Sequence, residues 1–197
     1  APHMERTSCF DTVNLGLAEI RCEIFQGWIY LTLDPDAVSL ANALAPLSQI
    51  IAAYVQQDYV TIFSTDHVWD TNWKCLTENF MESYHLPVAH KATVGGHYTP
   101  SETEFDPHGA LDAFTYQMFT KSDGAPVGRA HDTNTRLQGR ARYTSVMPTI
   151  FPSHMYVLAP DHLWYLALQP DGPSRTRIRY GAALAPEVLA AQADSDA

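Results

Sequence analysis

Cysteine is scarce in this chain: Cys9, Cys22 and Cys75 are the only three in 197 residues. None has a second cysteine or a histidine at metal-ligand spacing. That excludes a disulfide framework, a four-ligand zinc site and any iron–sulfur centre built from these residues. The odd number points to reduced thiols and a cytoplasmic setting. Long apolar runs are also missing. Nothing approaches the roughly 18 residues of a membrane helix, and the start Ala1-Pro-His-Met lacks the basic and apolar stretches of a secretory signal. Positive charge is thin, with 12 Lys and Arg against 22 Asp and Glu and a net charge of −10, which argues against nucleic acid or an anionic membrane as partner. No internal repeat or low-complexity tract is present.

What remains is a chain 46% hydrophobic, enough to bury one core with an N-terminal remnant beside it. Residues 19–33 read as two strands, with Gly27 between them at a tight turn or bulge. Ser39 starts a helical pattern running to about Ala53, which Pro46 kinks or divides. Tyr59 to Trp69 reads as a strand and 73–86 as a helix; 91–110 reads as a loop. Strands are expected at 111–120 and 142–150, with a linker-like stretch from Lys121 to Arg140 between them. A meander follows over 155–158, 163–169 and 176–184. Antiparallel strands after a helix-containing half make the fold class α+β, with helices packed on the sheet.

The chemistry is concentrated in Asn79-Phe-Met-Glu82-Ser-Tyr84-His85-Leu-Pro-Val-Ala-His90. His85 and His90 are five residues apart, about 140° around an undistorted helix. Pro87 lies between them, and a kink or π-bulge there swings both imidazoles toward one ion. Two imidazoles and a carboxylate form the facial triad of mononuclear iron(II) oxygenases, with positions left open for oxygen and substrate. Other metal sites fit less well. Glu82-x-x-His85 is half of a di-iron motif whose second copy is absent. The order and spacing of a zinc protease are absent too. A structural zinc site needs four protein ligands, and only two are evident. Two unrelated packed histidines remain the plain alternative.

This segment, with Asn72-Trp73-Lys74 before it, resembles the iron-binding helix of Rieske-type non-haem iron oxygenases, the α-subunits of ring-hydroxylating dioxygenases and their monooxygenase and demethylase relatives. The run from Gly16 through Gly27 to Asp34-Pro-Asp-Ala also resembles that family. The likeness is strong over about 16–92 and weaker to about 186. It implies a helix-grip catalytic domain at 39–197, incomplete at its C-terminus, preceded at 1–38 by the end of a Rieske β domain and the connection. By the same resemblance His85 and His90 are the ligands of Fe(II), and Glu82 is the carboxylate bridging to a Rieske cluster on a neighbouring subunit. Asn79 and Tyr84 then stand behind the ligands. The implied partners are O2, a small-molecule substrate (aromatic or quaternary ammonium) and a reductase or ferredoxin, in a homotrimer.

Two departures accompany the likeness. The Cys-x-His and Cys-x-x-His pairs that hold a Rieske [2Fe-2S] cluster are absent, so the cluster is expected in a longer protein. The family's third ligand, an aspartate, has no match here. Asp161 and Asp171 fall in the sheet region, and Asp194 and Asp196 in what reads as a fraying tail, so the ligand is expected beyond Ala197. The rival from another class is a helix-grip module that carries a hydrophobic ligand without catalysis. It gives no reason for Glu82, His85 and His90 to be neighbours. Phe114, Tyr116, Met147, Phe151, Tyr156 and Trp164 are bulky enough to line a pocket and equally suited to a sheet core.

Overall fold

The structure, a computed structural model, describes residue 8 and residues 16–96, 100–107, 113–121 and 128–195. The chain enters through a hairpin of β1 (Arg21–Phe25) and β2 (Trp28–Thr32). Gln26 and Gly27 both take positive φ, 51° and 85°, the conformation that a two-residue hairpin turn demands and glycine accepts without strain. The expected helix over 39–53 is divided, as its proline implies. α1 (Leu40–Ala43) is capped by Ser39, whose Oγ accepts from the Asn42 amide at 3.3 Å. α2 (Ala45–Ile51) carries Pro46 in its first turn, where no amide hydrogen is needed.

The main sheet, among the described residues, has seven strands in the order β3-β9-β8-β7-β6-β5-β4. They are β3 (Val60–Trp69), β4 (Thr103–Phe105), β5 (Phe114–Thr120), β6 (Thr144–Ile150), β7 (His154–Leu158), β8 (His162–Pro170) and β9 (Thr176–Leu184), and every pairing is antiparallel. Alternation along the strands gives the sheet two covered faces. Tyr156, Leu158, Leu163 and Tyr165 pack with Leu44, Leu47, Ile51 and Phe25 from α1, α2 and the hairpin. Met155, Val157, Leu166 and Ile178 pack instead with Phe80, Trp73 and Leu76 of α3 (Trp73–Phe80). Leu44, Leu47 and Ile51 are wholly buried, so truncating one to alanine costs about 2–5 kcal/mol. No helix among the described residues is long and apolar enough to cross a membrane.

Four expectations need correction. The helix expected over 73–86 stops at Phe80; a turn follows, then a separate short helix, α4 (Leu86–Ala89). The loop expected over 91–110 contains β4, an edge strand paired with β5. The described part of the expected linker is packed: Leu137 and Ala130 are buried, and Arg142 donates to the carbonyls of Ala130, His131, Asn134 and Leu137. The expected fraying tail is helical through α5 (Pro186–Ser195), which contains Asp194, while Asp196 lies outside the described residues.

Candidate functional site

The Asn-Trp-Lys motif is a helix start. Asn72 Oδ1 accepts from the Lys74 amide at 2.9 Å, and its Nδ2 donates to the Pro173 carbonyl at 2.7 Å, fastening the head of α3 to the β8–β9 turn. The other end is fastened too, because Gln117 Nε2 on β5 donates to Phe80 O at 2.7 Å. Beyond it, Thr103 on β4 donates to Ser83 Oγ at 3.1 Å. The chain is therefore pinned at Asn72, Phe80 and Ser83, immediately before the two histidines.

Glu82 organises that segment. Its Oε1 accepts from Asn79 Nδ2 at 3.2 Å, its Oε2 accepts from the His85 amide at 3.2 Å, and Oε1 also faces His85 Nδ1 as an ion-pair contact. These bonds draw the chain into a turn at 81–85, so the helix ends well before Pro87. The proline instead falls in the first turn of α4. His85 caps the start of α4 and His90 its end. Gly95 closes the arrangement, since a Cβ there would collide with Leu86 O and the His90 carbonyl carbon.

The two imidazoles lie with ring centroids 5.2 Å apart and planes at 65°. An ion about 2.1 Å from one nitrogen of each ring sits about 3.2 Å from each centroid, so ligand angles of about 90–110° separate the centroids by about 4.6–5.3 Å. The pair has that spacing. His85 Nδ1 is buried and, among the described residues, has no partner of hydrogen-bond geometry, and the Glu82 carboxylate stands beside it. A carboxylate at Nδ1 leaves Nε2 as the nitrogen for an ion, the usual division in a histidine metal site. No cluster of three His, Cys, Asp or Glu suited to a metal occurs among the described residues. Asp161 and Asp171 are committed elsewhere, to His162 and to Arg175 and Arg177. Asn79 is thus joined to Glu82 and His85, whereas Tyr84 is 73% exposed and does not border the cavity they face.

That cavity, about 530 Å³, lies between α3, α4 and the sheet. Of the six bulky residues weighed from the sequence, Met147 and Trp164 border it. Phe114, Tyr116 and Tyr156 pack in the opposite core, and Phe151 is largely exposed. His67, Gln117 and His162 also border the cavity and were missed. Their signal is phase: His162 alternates in step with Trp164 and Leu166 on β8. His162 Nδ1 lies 2.6 Å from Asp161 Oδ1. Burial pushes the Asp161 carboxyl up, but the His162 bond and charge and the Arg129 amide outweigh it and hold the group below its ordinary range.

Residues 53–197 match the family described as the ring hydroxylating alpha subunit (catalytic domain). The chain belongs to that family. Among the relatives of this ring hydroxylating alpha subunit domain, the 2-aminobenzenesulfonate 2,3-dioxygenase alpha subunit of Alcaligenes sp. is 32% identical over 79 residues, 40% of this chain and 20% of the relative. The carnitine monooxygenase oxygenase subunit of Escherichia coli K12 is 26% identical over 92 residues, 46% of this chain and 25% of the relative. A solved quaternary ammonium Rieske monooxygenase superposes with a TM-score of 0.72 at 16% identity, over 95% of this chain and 48% of that one. Naphthalene 1,2-dioxygenase with indole bound gives 0.68 at 18% identity, over 97% and 51%. At such identities the superpositions speak for the fold. The chain spans about half the length of those structures.

Proposed function

We propose that this chain is the catalytic part of the oxygenase component of a Rieske non-haem iron system, which hydroxylates or oxidatively demethylates a small organic substrate. The observation that carries the reading is the His85–His90 pair, at the spacing of two ligands to one ion, on the wall of a mostly apolar cavity with Glu82 behind it. When bound, Fe(II) supplies the O2 chemistry that organic side chains lack. The protein's own groups do the rest. His85 and His90 hold the ion, and Glu82 fixes the His85 tautomer and orientation through Nδ1. The apolar wall of Leu76, Val157, Leu166 and Trp164 excludes water and holds the substrate beside the two histidines.

In the same reading the catalytic unit, 39–197, has the helix-grip form, and the β1–β2 hairpin within 1–38 is the end of a Rieske domain. The [2Fe-2S] cluster and an anionic third iron ligand belong to residues outside those described. Glu82 links the iron site to the cluster of a neighbouring subunit in a homotrimer, fed by a reductase or ferredoxin in the cytoplasm. Tyr84, exposed beside Glu82, faces that neighbour. The two named relatives support both an aromatic and a quaternary ammonium substrate. A ligand carrier without catalysis leaves Asn79, Glu82, His85 and His90 without a task. The test is O2 uptake by the iron-loaded full-length protein with an electron donor. Uptake should vanish in both His85→Ala and His90→Ala, and unchanged uptake in either would remove the reading.

A further inference from the structure

The sheet wall of the cavity contains an acceptor to which none of the described residues donates. Gln117 is 1% exposed and borders the cavity, and among the described residues its Oε1 has no partner. The orientation of its amide follows from chemistry. A carbonyl only accepts, so the NH2 end must face Phe80 O, 2.7 Å away, and Oε1 must point the other way. Register puts this acceptor at one end of an otherwise apolar row. Gln117 pairs with Met147, Val146 pairs with Leu158 so that Met147 lies beside Val157, and Val157 pairs with Trp164. Trp164 meets Phe80 edge to face at a centroid distance of 5.7 Å, which gives the row an aromatic wall.

We propose that Gln117 Oε1 is a substrate-recognition point, and that the cavity takes a planar aromatic compound bearing an N–H or O–H donor on or beside its ring. This rests on the oxygenase reading and narrows its substrate class. A buried amide oxygen left unpaired is unfavourable, so a ligand that donates to it gains over an equal-sized one that cannot. A quaternary ammonium ion has no such donor at nitrogen. The one carboxylate among the described residues bordering the cavity, Glu82, is already engaged by Asn79 and His85 rather than free to face a cation.

Indole and indene, which match in shape and differ in the ring N–H, are the probes. Their dissociation constants are measured on the iron-loaded full-length protein. Indole should bind about five- to tenfold more tightly. In Gln117→Met the preference should fall to about one while indene binds at least as well. Equal affinities in the unaltered protein, a preference that survives Gln117→Met, or no binding of either probe each overturns the proposal. The comparison on the unaltered protein stands even if the variant does not fold. O2 uptake on the same samples separates the two readings. Indole preference without uptake leaves the contact and removes the oxygenase. Uptake stimulated equally by either probe, without preference, does the reverse.

Discussion

Asn79 Nδ2 donates to Glu82 Oε1 at 3.2 Å, so the last turn of α3 holds the acid that in turn faces His85. The acid thus has two tasks, shaping the 81–85 turn through the His85 amide and orienting the imidazole through Nδ1.

Glu82→Gln keeps the length of the side chain but removes the negative charge and one of the two acceptor oxygens, so the amide can serve the Oε1 contacts or the bond to the His85 amide but not both. The expected outcome is retained iron with turnover reduced by about 10- to 100-fold, read from metal content and O2 consumption on one preparation. Normal turnover in that variant would strip Glu82 of its assigned role.

Two neutral imidazoles do not offset the charge of an iron(II) ion, and no third ligand stands with them among the described residues. On the reading that the third ligand lies outside these 197 residues, iron titration should show weaker, incomplete binding by them than by a longer protein that carries it. Tight stoichiometric binding by the 197 residues, with one of their own aspartates coordinated, would contradict that expectation.

Much of the fold was readable because it rests on local rules. Gly27 marked a turn, Ser39 marked a helix start, and alternation marked the strands. The proximity of His85 and His90 was readable too, since both sit close in sequence. What escaped depends on contacts between distant residues. The end of α3 at Phe80 is decided by Gln117 and by the bonds of Glu82, not by the proline five residues beyond Glu82. β4 is three residues long and exists by pairing with β5. The packing of 128–138 comes from the bonds of one guanidinium and from the Arg136 ion pairs to Asp58 and Glu187, which no local pattern announces. The cavity wall needed the phase of each strand relative to the site, which alternation alone leaves two-fold ambiguous.

Arg142 supplies that guanidinium, donating to four backbone carbonyls between Ala130 and Leu137. Arg142→Ala leaves these acceptors without their charged donor and should cost about 3 kcal/mol in urea denaturation. Arg142→Lys should recover only part of it, because an ammonium cannot reproduce the planar fork. Full recovery by lysine would show that charge, and not the fork, holds the segment.

His154 makes stability depend on pH. It is buried between the hairpin and the sheet, with Nδ1 2.7 Å from Tyr30 Oη and the rings of Trp28 and Tyr156 against it. None of these neighbours offers a compensating negative charge, and burial pushes its pKa down from 6.5 to about 3. The unfolded chain therefore binds a proton at this ring below about 6.5 that the folded chain refuses until about 3. The stability tied to the neutral ring is complete above about 6.5 and drains away as the pH falls toward 3. Between pH 7 and pH 5 this one residue should account for a loss of about 2 kcal/mol. His154→Phe also removes the partner of Tyr30, but that cost is constant with pH and leaves the slope readable. Urea denaturation at both pH values should show the variant losing about 2 kcal/mol less than the unaltered protein over that interval. Equal losses would mean that the ring takes up a proton in the folded state, through solvent reaching the face of the sheet beneath the hairpin.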